Sequence, residues 1–194
     1  MPPTRLFETR EGSRFFGIRR FDRGSSGSPQ ANNRRYHIHT FGNLIHSNFR
    51  IPSADYADLL KATTLLTRNH QDVLRAFRRM AFNVLAHNRD DHVKNFAFIL
   101  DDKNGDWALT PAYDLLFTPG PGGEHTMTVA GEGRNPSRPH MLKLAQQAEI
   151  SKREAAVIID EVQAAVGNWT DYTAQPGVSK GTAQQIAKSL PQLT

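Results

Sequence analysis

The sequence predicts an α+β fold that is mainly α, with small β-hairpins. One observation is a stripe of apolar residues spaced i, i+4, i+7 and i+11, as on the buried face of a long helix: Val73, Phe77, Met80 and Val84. A second is the stretch 96–109, where two short apolar runs flank an Asn-Gly pair, the pattern of a β-hairpin. With 194 residues, 38% of them apolar, the chain is long enough for one domain with its own core.

Two strands are predicted near the N-terminus, from Leu6 to Glu8 and from Arg14 to Phe21, because aromatic and β-branched residues are concentrated there. A surface loop should follow from Asp22 to Asn33, since this run is rich in glycine and serine. Its glycines also suit a phosphate cradle. Neither a lysine nor a helix signal follows them, so a plain loop is favoured.

Two helices should come next. Ser53 is the predicted cap of the first, which runs to about Leu66, and Asn69 is the predicted cap of the second, which carries the apolar stripe. The hairpin then requires a strand from Phe96 to Leu100 and a return strand from Trp107 to Leu109.

The last third of the sequence alternates between irregular and helical patterns. Residues 119–123 contain too much proline and glycine for regular structure. The run 126–130 alternates like a short strand, and 140–148 has a helical pattern. A capping box at 151–154 predicts a helix that continues through Val166 and ends at Gly167.

Composition excludes several classes of site. The chain has no cysteine, so disulfides, thiolate metal sites and cysteine nucleophiles are excluded. No apolar run approaches ~18 residues, so we expect no membrane span and a cytoplasmic location. The net charge is +5, but the basic residues are spread along the chain, and direct nucleic-acid binding is not expected.

Three residues around the predicted hairpin are placed as in a phosphoryl-transfer site. Asp90 comes five residues before Asn95, and Asp114 follows the return strand. In protein kinases a catalytic-loop Asp accepts the proton of the attacking hydroxyl, an Asn holds one metal ion, and an Asp beyond a hairpin holds the other. Because a hairpin brings its ends together, Asn95 and Asp114 should lie side by side. A shifted register would make Asp91 the base, but only Asp90 has the five-residue spacing.

A wider set of motifs surrounds these residues and resembles one family. The motifs are Arg20-Phe21-Asp22-Arg23, Asp90-Asp91-His92-Val93-Lys94-Asn95, Leu109-Thr110-Pro111-Ala112-Tyr113-Asp114 and, more loosely, Ala130-Gly131-Glu132-Gly133-Arg134-Asn135. On these motifs the chain resembles, over roughly residues 3–165, the C-terminal part of HipA-like serine/threonine kinases, the toxin kinases of bacterial toxin–antitoxin pairs. The resemblance implies a kinase-like C-lobe that transfers the γ-phosphate of ATP to a Ser or Thr of a protein substrate.

The resemblance also implies roles for individual residues. Asp90 resembles the catalytic base, and Asn95 and Asp114 resemble the Mg²⁺-binding pair. His92 matches a loop-stabilising position, and Lys94 matches a contact to the transferred phosphate. The strand Phe15 to Phe21 resembles the hinge, whose backbone hydrogen-bonds adenine, and the residues assigned to cofactor binding are Arg19, Phe21 and Asp22.

The sequence departs from the family pattern before this hinge. No Gly-rich phosphate loop precedes it, and the first lysine is Lys61, so the lysine that contacts the α- and β-phosphates has no counterpart. We expect an N-lobe remnant with hinge strands and a loop at 1–35, a kinase C-lobe at 36–170, and a C-terminal linker and helix at 171–194. The implied partners are a DNA-binding antitoxin and an N-lobe on a separate polypeptide. The alternative is a catalytically silent kinase-like module that binds an antitoxin-like partner.

Overall fold

Helices supply most of the regular structure. The computed structural model describes residues 2–24, 35–173 and 178–190. In these ranges the helices are α1 (Phe41–Leu44), α2 (Tyr56–Thr67), α3 (His70–Leu85), α4 (Arg138–Gln147), α5 (Lys152–Gly167), α6 (Trp169–Thr173) and α7 (Lys180–Ser189). The strands are β1 (Thr4–Glu8), β2 (Arg14–Ile18), β3 (Ile38–Thr40), β4 (Ala54–Asp55), β5 (Ala97–Leu100), β6 (Trp107–Leu109) and β7 (Met127–Thr128). The α+β, mainly α fold class is confirmed.

The core lies where α2 and α5 pack against α3. The predicted apolar stripe of α3 is buried along its whole length, which confirms the helix and the face it turns inward. Asn69 caps α3 as predicted, because its side-chain oxygen accepts the N–H of Gln71 at 2.9 Å. The predicted capping box of Ser151 and Glu154 opens α5. A packed helix therefore leads directly into the loop that carries Asp90.

The start of α2 differs from the sequence prediction. Asp55, not Ser53, caps the helix: its carboxylate accepts the N–H of Ala57, and the Asp58 carboxylate accepts the N–H of Asp55. The physical reason is that Asp55 belongs to β4, which pairs in parallel with β7. The chain becomes helical only after this strand.

A three-stranded antiparallel sheet, in the order β3-β5-β6, presents the hairpin that the sequence predicted. β5 begins at Ala97, one residue later than expected, and the Phe96 carbonyl just before it accepts a hydrogen bond from the N–H of Phe41 at 2.8 Å. Gly105 has a φ of 76° in the connecting turn, a conformation that favours glycine.

The N-terminal hairpin of β1 and β2 exposes apolar side chains on both faces. Leu6 pairs with Phe16 and Phe7 with Phe15, so one pair lies on each face of the ribbon. The exposed fractions of these four side chains lie between 50% and 68%. An isolated two-stranded hairpin is marginally stable in water.

The second strand is shorter than predicted. β2 ends at Ile18 rather than Phe21, although the N–H of Arg19 still donates to the Pro3 carbonyl at 2.9 Å. Most of the predicted loop at 22–33 lies outside the described residues.

The last third of the chain follows the predicted order with shorter elements. β7 covers two residues of the expected strand at 126–130, and a short 3₁₀ turn, Pro121–Gly123, interrupts the Pro-Gly run. α4 begins at Arg138, earlier than expected, because Ser137 caps it. The expected boundary between residues 170 and 171 falls inside α6. In the described part of the chain, no helix is long and apolar enough to cross a membrane.

Candidate active site

The loop after α3, residues 87–95 and called the Asp90 loop below, is held in place by its own hydrogen bonds. Its last turn, Val93–Asn95, is 3₁₀-helical. The side-chain N–H of Asn95 donates to the Asp90 carbonyl at 2.9 Å, which leaves the amide oxygen of Asn95 as an acceptor. Asp90 is half-buried, and its carboxylate has no hydrogen-bond partner among the residues that the structure describes. An acceptor of this kind can receive a proton from a bound hydroxyl.

Asn95 and Asp114 line the same small pocket, as the hairpin geometry predicts. Asp114 is exposed, has a φ of 56°, and its carboxylate has no hydrogen-bond partner within the described ranges. The Asn88 side chain reaches the main-chain carbonyl of Asp114 at 3.5 Å. The structure therefore places Asn95 and Asp114, the two residues that the sequence singled out, at the same pocket.

The chemistry of this pair fits Mg²⁺. Carboxylate and amide oxygens are hard ligands, and Mg²⁺ in nucleotide sites takes one or two protein ligands and completes its shell with phosphate and water. No group of three or more His, Cys, Asp or Glu side chains that could hold a metal ion occurs in residues 2–24, 35–173 and 178–190. Asn95 and Asp114 together could offer a cation two oxygen ligands.

Asp91, the alternative base, is wholly buried. Its carboxylate accepts hydrogen bonds from the Tyr56 hydroxyl at 2.7 Å and the N–H of Thr126 at 2.8 Å, and His125 Nδ1 lies 2.9 Å away. A carboxylate without exposed surface cannot reach a substrate hydroxyl, and this burial argues against the shifted register. Burial and the charge of Asp91 raise the pKa of Tyr56 well above its ordinary value, which keeps its hydroxyl a donor.

His92 and Lys94 both contact Phe49. The His92 ring meets the Phe49 ring edge to face at 5.2 Å, and Lys94 Nζ lies 3.8 Å from the centroid of that ring. His92 is half-buried and Lys94 is exposed. His92 is thus packed into the loop, whereas Lys94 lies at the surface beside Asn95.

Of the three hinge residues, Phe21 approaches the pocket most directly. Its ring lies 5.6 Å from that of Tyr113, and the Tyr113 hydroxyl donates to the Lys94 carbonyl at 2.7 Å. Asp22 is engaged by Arg20, whose hydrogen bond to the carboxylate lowers the pKa of Asp22. Arg19, the third hinge residue, is exposed, and its backbone continues the pairing with β1.

Comparison with known families shows to which family this chain belongs. The family described as the HipA-like C-terminal domain matches residues 1–169. The chain belongs to this family. The resemblance that the motifs indicate is therefore confirmed.

Two individual proteins illustrate the relationship of this HipA-like domain. It is 30% identical over 156 residues to the protein named "Putative kinase Y4dM" of Sinorhizobium fredii (strain NBRC 101917 / NGR234), covering 77% of this chain and 35% of that protein. It matches a chain in the solved complex of the Shewanella oneidensis MR-1 toxin–antitoxin system, described as HipA, HipB and operator DNA, with a TM-score of 0.73 and 15% identity. That match covers 97% of this chain and 49% of the other, and it shows the shared fold. The HipA-like domain thus spans half or less of the length of both.

A cationic group that sequence patterns missed lies at the pocket of the HipA-like domain. Arg79 of α3 donates to the Thr110 carbonyl, while its Nη1 atom is buried and has no partner within the described ranges. Burial lowers the pKa of Arg79 to about 10, so it remains charged at neutral pH. It lines the same pocket as Asn95 and Asp114. The position of Arg79 on the helix face next to the apolar stripe is the only sequence signal for this placement.

Hydrogen bonds from Arg89 hold the segment 118–124, called the Pro-Gly segment below, against the Asp90 loop of the HipA-like domain. Its guanidinium donates to the carbonyls of Gly123 and Arg134, the latter at 2.8 Å. A side-chain carbon added to Gly120 would lie 2.5 Å from Cβ of Arg89, so the two backbones approach as closely as a glycine permits. The Pro-Gly segment is therefore fixed against the residue that precedes Asp90.

Proposed function

We propose that this chain is the C-terminal, catalytic part of a HipA-like serine/threonine protein kinase that transfers the γ-phosphate of ATP to a Ser or Thr of a protein, as the toxin of a cytoplasmic toxin–antitoxin pair. The observation that carries the proposal is the grouping of Asp90, Asn95 and Asp114. Asn95 and Asp114 line one small pocket, and Asp90 is joined to Asn95 by the hydrogen bond from the Asn95 side chain to its main-chain carbonyl. The kinase mechanism needs a base next to a metal-binding pair, which supports this assignment.

Each of these residues has a distinct task in the proposed mechanism. Asp90 orients the substrate hydroxyl and accepts its proton. Asn95 and Asp114 would hold Mg²⁺ through their side-chain oxygens, and the metal would neutralise charge on the phosphates. ATP is the phosphoryl donor, and ADP is the leaving group. His92 stabilises the loop through Phe49, and Lys94, exposed beside Asn95, contacts the transferred phosphate.

The hinge Arg19, Phe21 and Asp22 is the proposed adenine-binding segment. The contact between Phe21 and Tyr113 supports this role, because Tyr113 directly precedes Asp114. Adenine held by the backbone of this segment would lie within reach of a phosphate chain that ends at Asp114.

Calorimetry of Mg²⁺-dependent ATP binding tests the proposal. We expect the full chain to bind ATP with Mg²⁺, the Asp114→Ala variant to lose this binding, and the matched Asp171→Ala variant, altered on exposed α6, to retain it. Equal binding by the Asp114→Ala variant would contradict the assigned metal pair. Absence of binding by the intact chain would favour the silent, partner-dependent module.

The N-terminal hairpin supports an N-lobe that covers it, either on a separate polypeptide or on the same one. In this reading residues 1–35 carry the end of an N-lobe, 36–170 the C-lobe and 171–194 a C-terminal linker and helix. β1 and β2 expose apolar side chains on both faces, and a hairpin of this kind gains stability when a further sheet covers it. Sequencing of the DNA upstream of the Met1 codon checks this: a reading frame with a Gly-rich loop and a strand lysine is expected. A frame continuous with Met1 would place the N-lobe on the same polypeptide, and an independent frame would place it on a separate one.

A DNA-binding, antitoxin-like protein is the second proposed partner. The solved Shewanella oneidensis complex contains HipA together with HipB and operator DNA, and this chain shares the fold of one of its chains. Co-migration of the chain with the product of the adjacent gene in size-exclusion chromatography is the expected result. Separate migration at micromolar concentrations would contradict it.

A further inference from the structure

A chain of buried polar side chains joins the Asp90 loop to Asp114. The Tyr56 hydroxyl donates to the Asp91 carboxylate at 2.7 Å, and the Asn83 amide donates to the Tyr56 hydroxyl at 2.9 Å. The Asn88 amide donates to the Asn83 side-chain oxygen at 3.0 Å and reaches the Asp114 carbonyl at 3.5 Å. Asp91, Tyr56, Asn83 and Asn88 are called the buried polar chain below.

The members of the buried polar chain are excluded from water. Their exposed fractions are 0% for Asp91 and Tyr56, 2% for Asn83 and 1% for Asn88. Hydrogen bonds in such an environment cannot be exchanged for water and strengthen one another. The four side chains therefore act as one rigid connection between α2, α3 and the two segments that carry Asp90 and Asp114.

Asp91 is the anchor at one end. Two backbone N–H groups, of Thr126 and Met127, donate to its carboxylate at 2.8 and 3.4 Å, and His125 lies on the other side at 2.9 Å. These contacts fix the peptide that joins Asp90 to Asp91. Of the two neighbouring carboxylates, Asp91 is enclosed and Asp90 keeps access to solvent.

We propose that Asp91 and Tyr56 are positioning residues that set the separation of Asp90 from Asp114 through the buried polar chain. The proposal rests on the function assigned to Asp90 and Asp114 above. Neither positioning residue touches substrate; each acts by fixing the backbone of a group that does. A displacement of about 1 Å in such a site can lower turnover by about 100-fold.

The Tyr56→Phe variant tests the proposal, because it removes one hydroxyl and keeps the ring packed edge to face on Phe96 at 5.7 Å. Tyr172→Phe, on exposed α6, is the matched control. Hydrogen exchange followed by mass spectrometry should show faster exchange in peptides covering 88–92 and 114–118, with unchanged exchange in α5. Turnover of Mg²⁺-ATP, measured as ADP release, should fall while the KM for ATP stays constant.

The outcomes separate this proposal from the assigned function. Unchanged exchange around residue 114, or faster exchange everywhere including α5, would overturn the coupling. If the wild-type chain neither binds nor turns over Mg²⁺-ATP, the assigned function fails, while the exchange data still decide whether Tyr56 connects the two segments. The isosteric Asp91→Asn variant provides a second test at the other end of the same connection, with the same two peptides as readout.

Discussion

The side-chain N–H of Asn95 donates a hydrogen bond to the main-chain carbonyl of Asp90 at 2.9 Å. Because the side-chain nitrogen of Asn95 is used in this bond, its side-chain oxygen remains available to bind a cation. It also fixes the residue proposed to bind metal relative to the residue proposed to accept the substrate proton. The five-residue spacing from Asp90 to Asn95 therefore has a structural role, the hydrogen bond within the loop, in addition to the proposed catalytic role.

Replacing Asp90 by Asn should separate catalysis from binding. The amide keeps the shape and the backbone carbonyl that Asn95 uses, but it cannot accept the proton of a hydroxyl. We expect phosphoryl transfer to fall by about 100-fold or more and Mg²⁺-ATP affinity to stay unchanged, as measured by labelled-phosphate transfer and calorimetry. Full activity in Asp90→Asn, with Asp171→Asn as control, would remove Asp90 from the mechanism.

His87 should make the protein sensitive to mild acid. Its ring stacks on Phe117 at a centroid distance of 5.5 Å, and burial lowers the pKa of His87 from 6.5 to about 4. The unfolded chain therefore takes up a proton at a pH at which the folded chain does not. The stabilising contribution of neutral His87 is present above pH 6.5 and is lost as the pH falls toward 4.

The His87→Asn variant checks this dependence. Asparagine tolerates the positive φ of 55° at this position and does not titrate. Urea unfolding should show a smaller loss of free energy of unfolding between pH 7 and roughly pH 4.5 in the variant than in wild type. His46, exposed and with a φ of 54°, offers the matched control His46→Asn. An equal effect of both substitutions would rule out the specific role of His87.

Gly42 should be intolerant of any side chain. A Cβ atom at this position of α1 would lie 2.7 Å from Cγ2 of Val93, which is buried in the turn that leads to Asn95. We expect Gly42→Ala to lower the free energy of unfolding by about 1–3 kcal/mol, through overpacking. Thermal unfolding measures the change. Gly181→Ala, in α7 with no atom nearer than 3.9 Å, should cause no loss, and recovery in the Gly42→Ala/Val93→Ala double variant would identify the contact responsible.

Arg89 should control the order of the Pro-Gly segment. Arg89→Lys retains the positive charge but cannot reach the carbonyls of Gly123 and Arg134 together, as the guanidinium does. We expect faster hydrogen exchange at residues 118–124 and a loss of about 2 kcal/mol in free energy of unfolding. Arg153→Lys, at an exposed position of α5, is the control variant. Identical exchange in both variants would argue that the hydrogen bonds of Arg89 do not hold the Pro-Gly segment.

Features that depend only on residues close together in the sequence could be predicted. The stripe of α3, the five-residue spacing to Asn95 and the hairpin before Asp114 are local patterns, and together they indicate the pocket. The cap of α2 could not be predicted, because Asp55 is selected by strand pairing with a segment more than 70 residues away.

Local sequence patterns also could not predict which individual polar side chains are buried. Asp90 and Asp91 are chemically identical neighbours. Which of the two is enclosed depends on contacts with residues at least 34 positions away: Tyr56, His125, Thr126 and Met127. The position of Arg79, the charged group at the pocket, could not be predicted either. The sequence pattern of α3 shows which face of the helix is buried, but not which loop covers that face.

The parallel pairing of β4 with β7 has a consequence for how the protein is made. The Thr128 hydroxyl donates to the Asp55 carboxylate at 2.6 Å across 73 residues of sequence, and the whole Asp90 loop lies between them. Long-range closure of this kind is slow, because chain entropy is lost before the contacts form. A polypeptide still on the ribosome can contain the whole Asp90 motif before the N–H groups of Thr126 and Met127, which donate to Asp91, have been synthesised. We expect the Asp90 loop to take its final conformation only after synthesis has passed these residues.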